Sequence, residues 1–241
     1  MKGIAGAALS LVFLAIAVSH AGYLDELLKK VTPMAESELD TDTIIKGLKE
    51  ALAVGTDKAV TQVSQVDGYF GNEAIKILMP EKMSSVADML ARVGFQEEVD
   101  NFVMSMNRAA EKAAPEAAGL FTDSIRQMSI NDAKKILNGG DTAATDYFRE
   151  KTGKQLGEKF RPRISESMNS VGVARYYKDM MDKYSQIPFA KDVAFDLDEY
   201  VTDKSVDGLF HMVAQEEKKI RTDPAARVTD LLKKVFEKQA P

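Results

Sequence analysis

Cysteine and tryptophan are missing from this 241-residue chain, and histidine occurs only twice. Without cysteine there is no disulfide, no thiolate metal site and no thiol nucleophile. His20 falls in a leader that we expect to be removed, which leaves His211 as the one imidazole of the mature protein. A zinc site built on several histidines is therefore ruled out. A serine triad would depend on His211, and no Gly-x-Ser-x-Gly elbow accompanies it. Positive charge is also in deficit: 32 basic side chains stand against 37 acidic ones, and loss of Lys2 would widen the gap. An acidic chain of this kind has no electrostatic footprint for nucleic acid.

The leader reads MKGIAGAALSLVFLAIAVSHAG. Lys2 precedes an apolar run from Ile4 to Val18, and Ser19-His20-Ala21 places small residues where a signal peptidase reads. Cleavage is expected after Ala21. The run is shorter than the roughly 20 residues that span a bilayer, so an uncleaved anchor is disfavoured. With no cysteine to acylate, a lipoprotein is excluded. A periplasmic location follows as the expectation, with no transmembrane segment in the mature chain.

Helical spacing dominates the rest. Residues 22–42 hold a short amphipathic segment from Leu24 that stops at Pro33, then the acidic linker AESELDTD. A helix begins after Asp40 or Thr41, with Ile44, Ile45, Leu48, Leu52 and Val60 on its buried side. Gly68 to Pro80 is the least helical region. Further helices are expected from Pro80 to Ala91, from Phe95 onward with a kink at Pro115, and from Ser129 to Leu137 behind a capping box. The remainder divides into 142–160, 163–184, 197–221 and 224–238. Alternating strand patterns are rare. The fold class is all-α: one multi-helix globular domain of about eight to nine helices, spanning 43–238.

The stretch LNGGDTAATDYF (137–148) resembles a phosphate cradle at first sight. No lysine with a following hydroxyl residue completes a P-loop after Gly139-Gly140. The reading we favour is a tight hinge. Gly139 takes the left-handed position after one helix. Asp141 or Thr142 caps the next, whose buried face begins at Ala144 and Phe148 with Tyr147 beside them.

Other constellations carry less. Asp192, Asp196, Asp198, Glu199, Asp203 and Asp207 suggest a calcium loop, but Tyr200 and Val201 stand where an oxygen donor and a glycine belong. An acid-rich first turn explains the run better. Lys151, Lys154, Lys159, Arg161 and Arg163 are interleaved with Glu150 and Glu158, as on a solvated helix face.

Two polar positions sit where apolar residues belong. Val206, Leu209, Phe210, Val213 and Ile220 form one helical stripe, and Glu217 falls near its centre. A carboxylate there must be paired, hydrogen-bonded, protonated or facing a cavity. Arg221, one turn on, offers an ion pair. On an earlier helix, Asn107 and Glu111 flank the stripe and could bond each other or a neighbouring helix, which fits packing and a polar pocket wall equally.

The segments MSMNRAAEKAAPEAAGLF, SINDAKKILNGGDTAATDYF and YVTDKSVDGLFHMVAQEEKKIRTDPAARVTDLLKKVF resemble an exported bacterial family catalogued as domain of unknown function 4197, from about Ile44 to Phe236. The resemblance implies a periplasmic or envelope-associated helical protein and carries no reaction. Its motif positions fall on Asn107, Arg108, Glu111 and Pro115; on Gly139, Ala144, Thr145, Tyr147 and Phe148; and on Tyr200, Thr202, Gly208, Phe210, Glu217, Arg221, Pro224 and Arg227.

Candidate binding residues are thus Glu217, Arg221, Asn107, Arg108, Glu111, Tyr147 and Tyr200; no catalytic residue, metal ligand or cofactor is expected. Three readings compete. The first is a non-enzymatic envelope protein that binds a protein partner or itself. The second is a helical pocket for a lipid or small molecule, lined by Phe102, Met106 and Phe210 with Glu217 and Arg221 as polar anchors. The third is a hydrolase using carboxylates alone, for which no acidic pair is marked.

Overall fold

The computed structural model describes residues 41–187 and 196–227 with Thr229 and Lys233, and every regular element among them is helical. The order is α1 (Thr41–Val63), α2 (Glu81–Arg92), α3 (Gln96–Ala113), α4 (Ala117–Gln127), α5 (Ile130–Leu137), α6 (Ala143–Val171), α7 (Val173–Ser185) and α8 (Leu197–Thr222). Short 3-10 turns at Ala114–Glu116 and Pro224–Ala226 follow α3 and α8. No helix of the described residues is long and apolar enough to cross a membrane. The leader, the segment from Leu24, Asp192 and most of the expected last helix lie outside the described residues.

Helices α6 and α8 pack along each other at the centre, α3 lies against α6 and α7, and α1 closes over α8 and α4. The core they enclose is aromatic. Phe121 meets Phe148 at 5.3 Å and Phe210 at 6.1 Å between ring centroids. Phe102, Met106 and Phe210, the residues expected to line a pocket, are fully buried. Each such side chain contributes about 1.5–3 kcal/mol by leaving water.

The eight to nine helices counted from the sequence do not carry over one for one. The division expected near Pro162 is absent: α6 runs unbroken for 29 residues with that proline inside it. Thr152, Leu156, Phe160, Ile164 and Met168 make a buried row at every fourth residue, straight through the proline. Pro162 and Glu158 are exposed, so water can satisfy the carbonyl that the missing N–H leaves unpaired. The break falls instead at Gly172, whose φ is 82°. Other boundaries agree with the sequence: the capping box at Ser129 and Asp132 is formed, and Pro115 sits in the 3-10 turn that separates α3 from α4.

Because only glycine adopts that φ without a steric penalty, Gly172→Ala should destabilise the fold by about 1 kcal/mol. Gly172→Asn should cost less, since asparagine tolerates the left-handed region. Urea denaturation of the three proteins gives the ranking.

Candidate functional site

The sequence-marked residues gather in two places. The first is the hinge between α5 and α6. Glu217 is buried on α8 at 7% exposure, and its carboxylate points at the start of α6. Oε1 accepts a hydrogen bond from the Ala144 amide at 2.8 Å. Oε2 accepts from the Thr145 amide and from Thr145 Oγ1, each at 2.8 Å. Arg221 donates to Oε1 through Nε at 3.0 Å and Nη2 at 2.8 Å. Its Nη2 also donates to the Ile136 carbonyl, in the last turn of α5, at 2.8 Å.

One ion pair on α8 therefore serves both ends of the hinge. The carboxylate meets the positive N-terminus of α6, and the guanidinium meets the negative C-terminus of α5. Ala144 and Thr145 are the second and third residues of α6, whose amides a capping side chain usually satisfies. The expected cap from Asp141 or Thr142 is not made. Thr142 makes no side-chain cap and instead bonds Asp146. A residue 72 positions away supplies it. Gly139 also departs from expectation, because it is not in the left-handed region. Its requirement is steric: an added Cβ would meet Ala143 Cβ at 2.5 Å and the Lys135 carbonyl at 2.9 Å.

Beside this network a cleft between α1 and α8 is lined by Leu48, Gly55, Val213 and Ile220 with Glu217 and Arg221 at its end. Its free volume is about 20 Å³. That is room for about one water, not for a lipid or metabolite.

The second place is the connection from α1 to α2, residues 64–80. It has no regular structure, so its buried backbone groups need partners from elsewhere. Glu111 on α3 accepts at Oε1 from the amides of Tyr69 and Phe70 at 3.1 and 3.2 Å. Arg108 donates to Glu111 Oε2 and to Asp67 Oδ1, both at 2.7 Å. Asn107 is fully buried; Oδ1 accepts from the Ile77 amide and Nδ2 donates to the Ile77 carbonyl, both at 2.8 Å. Asn107 Nδ2 also donates to the Val103 carbonyl of its own helix at 2.8 Å, so Asn107 and Glu111 bond neither each other nor a neighbouring helix; they clasp the connection.

Tyr69 completes the clasp by donating from its hydroxyl to the Ser205 carbonyl at 2.6 Å. Burial, and then the charge of Glu111, push its phenol far up from its ordinary value. Gly208 makes room for the ring, since a Cβ there would lie 2.7 Å from Tyr69 Cε1. Burial alone would lower the Arg108 pKa, but the bonds and charges of Glu111 and Asp67 outweigh it and the net shift is upward.

The two tyrosines differ. Tyr147 is half-buried near the start of α6 and bonds to no residue of either network; its hydroxyl is 3.5 Å from the Ser124 carbonyl, and burial raises its pKa. Tyr200 donates to the Leu78 carbonyl at 3.0 Å, and burial followed by the Glu81 charge raises its pKa. It lines an open groove of about 860 Å³ between residues 74–82 and the first half of α8. Lys82, Asp203, Lys204 and His211 share that groove. Sequence reading missed it, because residues without periodicity give no sign of which face stays open. Arg227, a motif position not counted among the candidate binding residues, is buried at 5% and donates to the carbonyls of Ile220 and Arg221 at the end of α8. A basic residue just past a helix end was the available signal.

Among the acidic residues, Asp196 caps α8 through the Glu199 amide and pairs with Arg161 at 3.0 Å. Of the basic cluster, Lys151, Lys154, Arg161 and Arg163 each face a carboxylate within 4 Å.

These features define an all-α protein in which the buried Glu111 and Glu217 serve its own backbone and an open groove lies beside Tyr200. The chain belongs to the family described as Protein of unknown function (DUF4197), whose model matches residues 38–237. No curated protein and no solved structure matches it significantly.

Removing one partner of a buried pair leaves the other uncompensated, so Glu217→Gln should destabilise by about 3 kcal/mol. Adding Arg221→Met to that variant should cost little more, and a double-mutant cycle measures the coupling. Asn107→Leu orphans both Ile77 backbone groups, so a loss of about 2–4 kcal/mol by denaturation is expected.

Proposed function

We propose that this protein is an exported, periplasmic, non-enzymatic interaction protein that docks a protein partner in the groove between residues 74–82 and α8. One observation carries the reading: the polar residues best suited to chemistry are engaged in backbone contacts, while the groove stays open. Glu217 and Glu111 each accept from two backbone amides and a guanidinium. A carboxylate engaged in this way is a poor general base, because its lone pairs are already directed at fixed donors. The narrow cleft beside Glu217 likewise gives a lipid ligand no room at the expected polar anchors. The groove offers both charge signs and exposed apolar surface, with Leu78 at 60% exposure. That mixture suits a partner protein better than a small ligand, which needs enclosure.

The test is photo-crosslinking of the full chain in the cells that export it. A photo-reactive residue in place of Asp203 should give discrete adducts in the periplasmic fraction, and one in place of the exposed Lys154 on α6 should give none. Equal labelling from both positions, or none from Asp203, would sink the proposal.

A further inference from the structure

The groove's loop wall has a feature its chemistry can use. Ile77 turns its amide and its carbonyl together toward α3, where the Asn107 amide group bonds both at 2.8 Å. Leu78 turns its carbonyl the other way, to Tyr200 on α8 at 3.0 Å. Successive residues facing opposite sides are the mark of an extended strand, in which the N–H and C=O of one residue share an edge. Met79 precedes Pro80, which favours the same extended conformation. Burial alternates accordingly, with Ile77 buried and Leu78 at 60% exposure.

Asn107 thus takes the place of a neighbouring strand on the inner edge, and among the described residues no strand covers the outer one. The Leu78 amide lies on the Tyr200 side, at the groove. Neither that N–H nor the Lys76 carbonyl, next on the same edge, has a bonding partner among the described residues. The edge is short, because the Lys76 amide already donates to Asn72 at 2.8 Å and Pro80 has no N–H.

We infer that the groove takes an extended peptide segment of a partner protein, paired as a strand with Leu78. This deepens the docking reading above and rests on it. The peptide's carbonyl accepts from the Leu78 amide, and its own amide donates to the Lys76 carbonyl. An apolar side chain of the peptide covers Leu78. Asp203 on the helix wall and Lys82 at the start of α2 complement flanking charges of opposite sign, a lysine or arginine toward the first and an acid toward the second.

A random heptapeptide library displayed on phage, panned on the full chain, supplies the probe. Selected peptides should share an apolar residue flanked by charges of both signs. In an amide NMR spectrum of the full chain, each should shift the Leu78 N–H downfield. Leu78→Pro removes that donor while keeping extended backbone, so affinity should fall at least tenfold with an unchanged melting temperature. Leu78→Ala keeps the donor and should lose less. Should Leu78→Pro unfold, the Leu78 amide shift in the native protein still decides. Peptides that bind both proteins equally, that leave the Leu78 amide unmoved, or a library that yields none would each overturn strand pairing. If Asp203 crosslinks persist undiminished in Leu78→Pro, strand pairing fails and the docking reading stands.

Discussion

The Glu217 carboxylate holds the arrangement together. Burying an ion is costly, and here five hydrogen bonds offset the cost: two from amides, one from a hydroxyl and two from a guanidinium. Geometry makes the pair serve two helices at once. Its partner Arg221 reaches the last turn of α5, so α8 closes a hinge whose two sides are neighbours in the chain. Direction of the long central α6 is set at that point, and the buried row from Thr152 to Met168 follows from it.

The connection between α1 and α2 obeys the same rule with different residues. Irregular backbone survives inside a protein only when something else fills its hydrogen-bonding needs. Asn107 and Glu111 fill them from α3, and the Tyr69 hydroxyl adds a bond to α8. A functional reading of these polar residues was natural because they break apolar stripes. What breaks the stripe is the demand of a loop that has no ladder of its own. The groove is the remaining face of that loop, the side that the clasp does not use.

Much of the architecture could be read from spacing alone. The all-α class, the capping box at Ser129 and the start of α8 at Asp196 rest on local rules, and local rules are visible in one sequence. Glu217 was found by periodicity, as was its pairing with Arg221. The cap it provides for α6 was not, because Ala144 and Thr145 are distant in sequence and only the packed fold brings them to it. Pro162 misled for the opposite reason. A proline is a strong local signal, but it lies on an exposed turn of a helix whose buried row needs no break. Gly172, less conspicuous, does the breaking. The groove escaped notice because an open face leaves no pattern in the chain.

The clasp also orders events in time. Tyr69, Phe70 and Ile77 have amides held by α3 side chains 30 to 42 residues further on, and the Tyr69 hydroxyl waits on a carbonyl 136 residues away. None of these bonds can form within a local turn, so their amide protons stay open to solvent exchange until the helices have assembled. Helix amides are bonded within their own segment, whereas these three gain protection only when the connection docks on α3. Their exchange reports the docking of the connection separately from the coiling of any helix.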